Sequence, residues 1–210
     1  MSLKPDIVLV GGGGHCKVVI SIIKKLDTFN ITGISDLIEN LGKEVLGIKT
    51  KYTDDQLEEL HDKGTKYAFV SVGSVGNPDN RIRLFEMLKQ TGFEIPVIIS
   101  KDAIVGESVE IDEGTVIMPG AIINPGTKIG KNCIVNTGAI IDHDCSIGDH
   151  VHIAPGVTLS GSVKIGSGSH IGTGASVIHG IQIGSRVIVG AGGVVVNTIQ
   201  DNKKVMGVPA

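Results

Sequence analysis

The chain has 210 residues, 41% of them apolar, with 30 glycines, six aromatics, no tryptophan and a net charge of −3. Glycine at about twice its usual share of ~7% argues against a helical bundle, and the lack of a G-X-Y period rules out collagen. The many aliphatics and low net charge argue against disorder, and the lack of basic runs and aromatic platforms argues against a nucleic-acid partner. With no apolar run of about 18 residues and no signal peptide, the expectation is a soluble cytoplasmic protein with no membrane partner. Cys16, Cys133 and Cys145 form no C-x-x-C motif and fit a reducing compartment. Met1-Ser2-Leu3 reads as an expression scar.

The first hundred residues alternate strand and helix signals. Ile7-Val8-Leu9-Val10 is a continuous apolar strand, followed by Gly11-Gly12-Gly13-Gly14-His15 and a helix periodic through Val18, Val19, Ile22, Ile23 and Leu26. Ile31 to Ser35 reads as a second strand ending at Asp36. Thr53 and Gln56 have capping-box spacing for a helix. Tyr67 to Val72 is a third strand, closed by Gly73. A helix from Asn77 or Asp79 runs through Arg81, Leu84, Met87 and Leu88 and stops at Gly92, and Val97-Ile98-Ile99 reads as a last strand. This is the pattern of a small, Rossmann-like parallel α/β sheet over residues 1–100.

Ligands in such sheets sit at the carboxyl ends of strands, where Gly11 to His15, Asp36 and Gly73 fall. A glycine-rich strand-to-helix turn offers backbone N–H groups to phosphate. The dinucleotide fingerprint is incomplete, because Gly11-x-Gly13 meets Cys16 where a third glycine belongs. That disfavours a nicotinamide cofactor and leaves a nucleotide-linked small molecule or a structural turn.

From Val105 an aliphatic residue recurs at every sixth position through Val195, sixteen times without a miss. A second column four residues later (Val109, Thr115, Ala121, continuing to Ile199) is small or β-branched, and glycine often separates the two. Such a period means short parallel strands joined by tight corners, with three hexads forming one coil of a prism. Residues 101–210 are therefore expected to form an all-β solenoid of a little over five coils, about 25 Å tall at ~4.8 Å per coil.

Within it, Asn136 to Cys145 concentrates ionisable and polar groups. His143 and Asp144 fall between the inward columns, at the outside or corner of the prism. His152 and His170 are one coil apart and should stack. His143 and His179 are two coils apart, which places them ~10 Å from each other, too far to share a metal ion at about 2 Å per bond. A histidine beside a carboxylate suits a general base that takes a proton from an amine or hydroxyl nucleophile, with backbone N–H groups or His152 available to an oxyanion. Cys133 and Cys145 lie in the inward column, where a thiol is inert, so direct transfer is expected rather than a covalent route.

The run Gly-Gly-Gly-Gly-His-Cys-Lys-Val-Val from Gly11, the hexads, His143-Asp144 and the closing Gly207-Val208-Pro209-Ala210 together resemble one family. It is the sialic-acid O-acetyltransferase and nucleotide-aminosugar N-acetyltransferase group of hexapeptide-repeat enzymes, and the match spans essentially the whole chain. The resemblance implies a left-handed parallel β-helix, a homotrimer with acetyl-CoA bound between the β-helices of neighbouring subunits, no required metal, and an N-terminal domain that holds the sugar nucleotide. It makes His143 the base, Asp144 its acidic neighbour and Asn136 an active-site polar group. His152, Gly161, Thr173 and Ala191 then fall where acetyl-CoA is contacted, and Gly13, Gly14, His15, Asp36 and Gly73 where the acceptor binds. Cys16 stands where relatives often have glycine, and Ser35 precedes Asp36 where some have two acids. Relatives also often continue past Ala210 by a basic residue or two.

N-acetylation of a nucleotide-linked amino sugar is the preferred reading, because the glycine loop suits a nucleotide. O-acetylation of sialic acid or another sugar is the alternative. A zinc carbonic anhydrase on the same coil would need three convergent histidines, and Gly184 stands near His179 where a partner is wanted. A non-enzymatic scaffold is the remaining possibility.

Overall fold

The computed structural model describes residues 4–210; Met1-Ser2-Leu3 lies outside them. Strand β1 (Asp6–Val10) is buried from Ile7 onward and lies between β2 (Asn30–Ser35) and β5 (Tyr67–Val70), parallel to both. Helix α1 (Gly14–Leu26) turns Cys16, Val19, Ile20, Ile22 and Ile23 into the core and ends at Asp27 in the left-handed region. The capping box at Thr53 forms and opens a short helical segment that continues as α2 (Leu57–Asp62). Helix α3 (Asp79–Thr91) stops at Gly92, whose φ of 99° favours glycine.

Two expectations are corrected here. The sheet is mixed, in the order β3-β4-β2-β1-β5, because a hairpin of β3 (Glu44–Val45) and β4 (Ile48–Tyr52) adds an antiparallel edge strand. Ile98–Ile99 is not the last strand of this sheet. It pairs with Val116–Ile117 and is the first rung of the coil. Ile99 stands six residues before Val105, so the hexad register already includes it.

Each of the sixteen aliphatic positions from Val105 to Val195 is the second residue of a two-residue strand. Strands pair in parallel with partners 18 residues away, as in Ile122↔Ile140 and Ile123↔Ile141, building three sheets of six, five and seven strands. Between the two inward columns, one residue per hexad from Ser108 to Gly192 has positive φ. Glycine fills nine of those corners, but Asp144 at φ 59° and His150 at φ 60° hold the same conformation with full side chains. The repeat loses register only at the end, where Lys204–Val205 pairs with Ile188–Val189 after 16 residues instead of 18.

The three prism faces differ. The seven-stranded face turns Ile98, Val116 and Ile134 into the apolar core of the α/β domain, so that domain covers it. The five-stranded face presents Glu110, Lys128, Ser146, Lys164 and Gln182, all exposed. The six-stranded face presents Ile104 at 63% and Ile140 at 37% exposure. Arg81 fastens the two domains. It is fully buried on α3 and donates to the carbonyls of Val70 and Val72 beside the sheet and of Gly114 and Asn132 in the coil. Burial lowers its pKa to about 10, so the guanidinium stays charged with carbonyl oxygens as its partners.

Candidate active site and acceptor pocket

His143 and Asp144 form a corner between Ile140–Ile141 and Ser146–Ile147. The imidazole Nδ1 lies 2.8 Å from Asp144 Oδ2. A carboxylate accepts only, so Nδ1 carries the proton and Nε2 is left as the acceptor. The bond to Asp144 and then the charge of Asp142 raise the pKa of His143 above its ordinary value. Two glycines make room for this pair. A Cβ on Gly161, one coil later, would lie 2.6 Å from His143 Nε2, and a Cβ on Gly126, one coil earlier, 2.5 Å from Asp144 Oδ1.

The bare Gly161 also corrects the expected spacing of the two histidines. His143 and His179 stand on either side of it in the column, and their ring centroids are 6.4 Å apart, because nothing at position 161 keeps the rings from leaning together. Among the described residues, no group of three or more His, Cys, Asp or Glu side chains converges to hold a metal ion.

Asn136 and His152 make a second group. His152 is buried, with Nδ1 3.3 Å from the carbonyl of Ser74 and Nε2 3.2 Å from Asn136 Nδ2. The Ser74 carbonyl accepts the Nδ1 proton, so Asn136 donates to Nε2 and both ring nitrogens are engaged. In this tautomer His152 offers no N–H to an oxyanion. Burial, with His170 next, lowers its pKa to about 4, and the His152 and His170 rings meet edge-on at 4.8 Å as the spacing predicts. Thr173 and Ala191 are exposed and follow the same seven-stranded face as Asn136. His143, Asp144 and Gly161 follow the six-stranded face instead. Within one chain His143, Asp144 and Gly161 therefore occupy one corner and Asn136, Thr173 and Ala191 the neighbouring one, with the six-stranded face between them. Cys133 and Cys145 are buried free thiols whose pKa values burial raises, to about 12 for Cys133.

The five residues expected at the acceptor come together. Gly13, Gly14, His15, Asp36 and Gly73 all line one cavity of about 610 Å³ at the carboxyl end of the sheet. Gly13 precedes α1 with no side chain capping it, and neither Gly13 nor Gly14 has an atom near where a Cβ would stand. Asp36 shapes the rim. Its Oδ2 accepts the Gly12 N–H at 2.5 Å and its Oδ1 accepts the Leu37 N–H and Asn40 Nδ2. Burial works against the charge, yet those donors hold the carboxyl below its ordinary pKa. His15 is mostly buried. Desolvation first, then the charges of Arg81 and His152, lower its pKa to about 3, so it is neutral at pH 7. Any attraction for an anion comes from backbone N–H groups at the start of α1 and from Lys17, Lys43 and Arg83, which also line the cavity. Sequence reasoning missed these three cations; only Lys17, in the first turn of the helix after the glycines, carried a usable signal.

Comparison with known proteins follows from this geometry. Residues 6–88 match the PglD N-terminal domain, and residues 126–161 match the bacterial transferase hexapeptide repeat. The whole chain superposes on perosamine N-acetyltransferase from Caulobacter crescentus, solved as a histidine-to-asparagine variant with CoA and GDP-perosamine. Identity is 37%, coverage 98% of this chain and 95% of that one, and the TM-score 0.92. The chain belongs to the hexapeptide-repeat nucleotide-sugar acetyltransferases. The acetyltransferase domain of PglB from Neisseria gonorrhoeae, solved with acetyl coenzyme A, is 37% identical over 99% of this chain and 98% of that one, with a TM-score of 0.90. WeeI from Acinetobacter baumannii is 25% identical over 99% of both chains, with a TM-score of 0.86. No curated protein matches at a significant level. The family fixes the hand of the coil, a left-handed parallel β-helix.

Proposed function

We propose that the protein transfers an acetyl group from acetyl-CoA to an amino group on a nucleotide-linked sugar, directly and with His143 as general base. The observation that carries this reading is the corner itself. An exposed imidazole has Nδ1–H tied to Asp144 and Nε2 free above Gly161. The nucleotide part of the acceptor sits in the glycine-lined cavity, its phosphates on Gly13, Gly14 and the His15 backbone N–H. The relatives solved with CoA, acetyl-CoA and GDP-perosamine support both halves of the reading.

In the chemical step the acceptor amine attacks the thioester carbonyl as His143 Nε2 takes its proton. The new C–N bond forms and the C–S bond breaks. The proton then passes from His143 to the departing CoA sulfur. Asp144 accepts from Nδ1 throughout, which favours the imidazolium that forms.

The active unit is a homotrimer in this reading. The exposed Ile104 and Ile140 suit contact with a second copy. Packing through that face would bring the His143 corner of one chain to the Asn136, Thr173 and Ala191 corner of its neighbour, and acetyl-CoA would lie between them. Three free buried cysteines fit the cytoplasm, and no helix among the described residues is long and apolar enough to cross a membrane.

The test is incubation with acetyl-CoA and a panel of nucleotide-linked amino sugars, sialic acid and hydroxyl-only sugar nucleotides, following thiol release and product mass. Acetylation of an amino-sugar nucleotide, lost in His143→Ala, is expected. Modification of free sialic acid alone would replace the amine with a hydroxyl acceptor. Full activity in His143→Ala would remove the base assignment.

A further inference from the structure

We infer that Asp142, seated on Asn124 of the preceding coil, is a positioning residue for His143, distinct from Asp144. Asp142 Oδ1 accepts from Asn124 Nδ2 at 2.7 Å and from the backbone N–H of His143 at 2.8 Å. Its own carbonyl accepts from Thr127 Oγ1 at 2.9 Å, and its N–H donates to the Leu159 carbonyl at 3.0 Å. Side chain and backbone of Asp142 are therefore both held. The chain then turns into the left-handed corner at Asp144, φ 59°. The N–H that Asp142 accepts is the last one before that turn, so the bond sets the direction in which the His143 side chain leaves the coil.

The corner does not itself need a carboxylate there. The same column holds Gly106, Asn124, Ser160, Ile178 and Val196 in the other coils. Only beside His143 is it acidic, and only there does the residue below carry an amide aimed at it. Two acids thus divide the work. Asp144 fixes the ring tautomer through Nδ1, and Asp142 fixes the backbone and adds a second negative charge. The groups facing His143 are Asp144 and Asp142 at its own corner and His179 beyond Gly161. Asn124 and Gly126 beneath are uncharged.

This role rests on His143 being the base. The test compares Asp142→Asn, Asn124→Ala, Asp144→Asn and His143→Ala by the pH profile of kcat/KM and by NMR titration of the His143 ring. Asp142→Asn keeps an oxygen for both N–H donors and loses the charge. Its acidic limb and the ring titration should both move about half a pH unit lower, with plateau kcat within about threefold. Asn124→Ala keeps the charge and frees the carboxylate. The limb should stay in place while plateau kcat falls about tenfold through lost alignment. A limb and titration unmoved in Asp142→Asn, or a plateau unmoved in Asn124→Ala, overturns the role of Asp142. An active His143→Ala overturns the base assignment instead, and the NMR titration reads the effect of Asp142 whichever way that falls.

Discussion

Replacing Gly161 by alanine tests whether the His143 pose in the structure is the reactive one. The new methyl would lie 2.6 Å from Nε2 and 2.7 Å from Cε1 of the ring. Ordinary contact needs roughly 3.4–3.7 Å, so the ring must withdraw by about 1 Å, and misplacement on that scale costs on the order of 100-fold in rate. Gly161 is not among the positive-φ residues, so alanine fits its backbone. The His143 ring is half exposed and can swing into solvent, so stability should change by no more than about 1 kcal/mol. Steady-state thiol release should therefore show kcat down about 100-fold with the KM for acetyl-CoA within about threefold, and thermal melting unchanged. Because the methyl acts through the ring, Gly161→Ala should cost nothing further in a His143→Ala background. A variant that keeps kcat and loses only acetyl-CoA affinity would refute this reasoning and leave Gly161 as a simple coenzyme contact.

Other perturbations probe the frame. His15 and His152 are neutral in the fold, with pKa values near 3 and near 4 against ~6.5 unfolded, so the unfolded chain binds more protons below pH 6.5. Their contribution is full above that pH and is lost as pH falls. Each is worth up to about 1.4 kcal/mol per pH unit, so urea midpoints should drop from pH 7 to pH 5, and less steeply in His152→Gln. Arg81→Met strands the carbonyls of Val70, Val72, Gly114 and Asn132 and should lose about 3–5 kcal/mol by urea unfolding; a loss under about 1 kcal/mol would show that water replaces the guanidinium. Asp36→Ala frees the Gly12 and Leu37 N–H groups and should raise the acceptor KM about tenfold without touching that of acetyl-CoA; an unchanged acceptor KM would move the nucleotide away from this rim.

The coil was legible because each hexad repeats the same local physics, an inward aliphatic, a small neighbour and a corner, so one register explains sixteen strands. The glycine loop and its helix were legible for the same local reasons. What escaped depends on contacts distant in sequence. The β3–β4 hairpin is short, and its alternation of Ile48, Thr50 and Tyr52 with Lys49 and Lys51 is confined to five residues. Ile98–Ile99 was assigned to the wrong sheet because a two-residue strand does not declare its partner. The spacing of His143 and His179 depends on the empty place at Gly161, which column arithmetic treats as occupied. The helix periodicity puts Arg81 in line with Leu84, Met87 and Leu88, and only the docked coil shows why a lone cation is buried there. Asn124 and Asp142 could have been paired, since they stand one coil of 18 residues apart, but nothing in the sequence says that the amide faces the acid.

Arg81 and the seven-stranded face anchor the α/β domain to the coil, and the His143 corner stands half a coil after Ile134 in the same stack. The molecule is thus a graduated ruler. Inserting one coil of 18 residues between Asn132 and His143 would move that corner against Arg81 by a step of ~4.8 Å, with nothing in between. A change in acceptor length smaller than one step is out of reach of the coil, so fine adjustment to a longer or shorter sugar falls to the loops around the cavity.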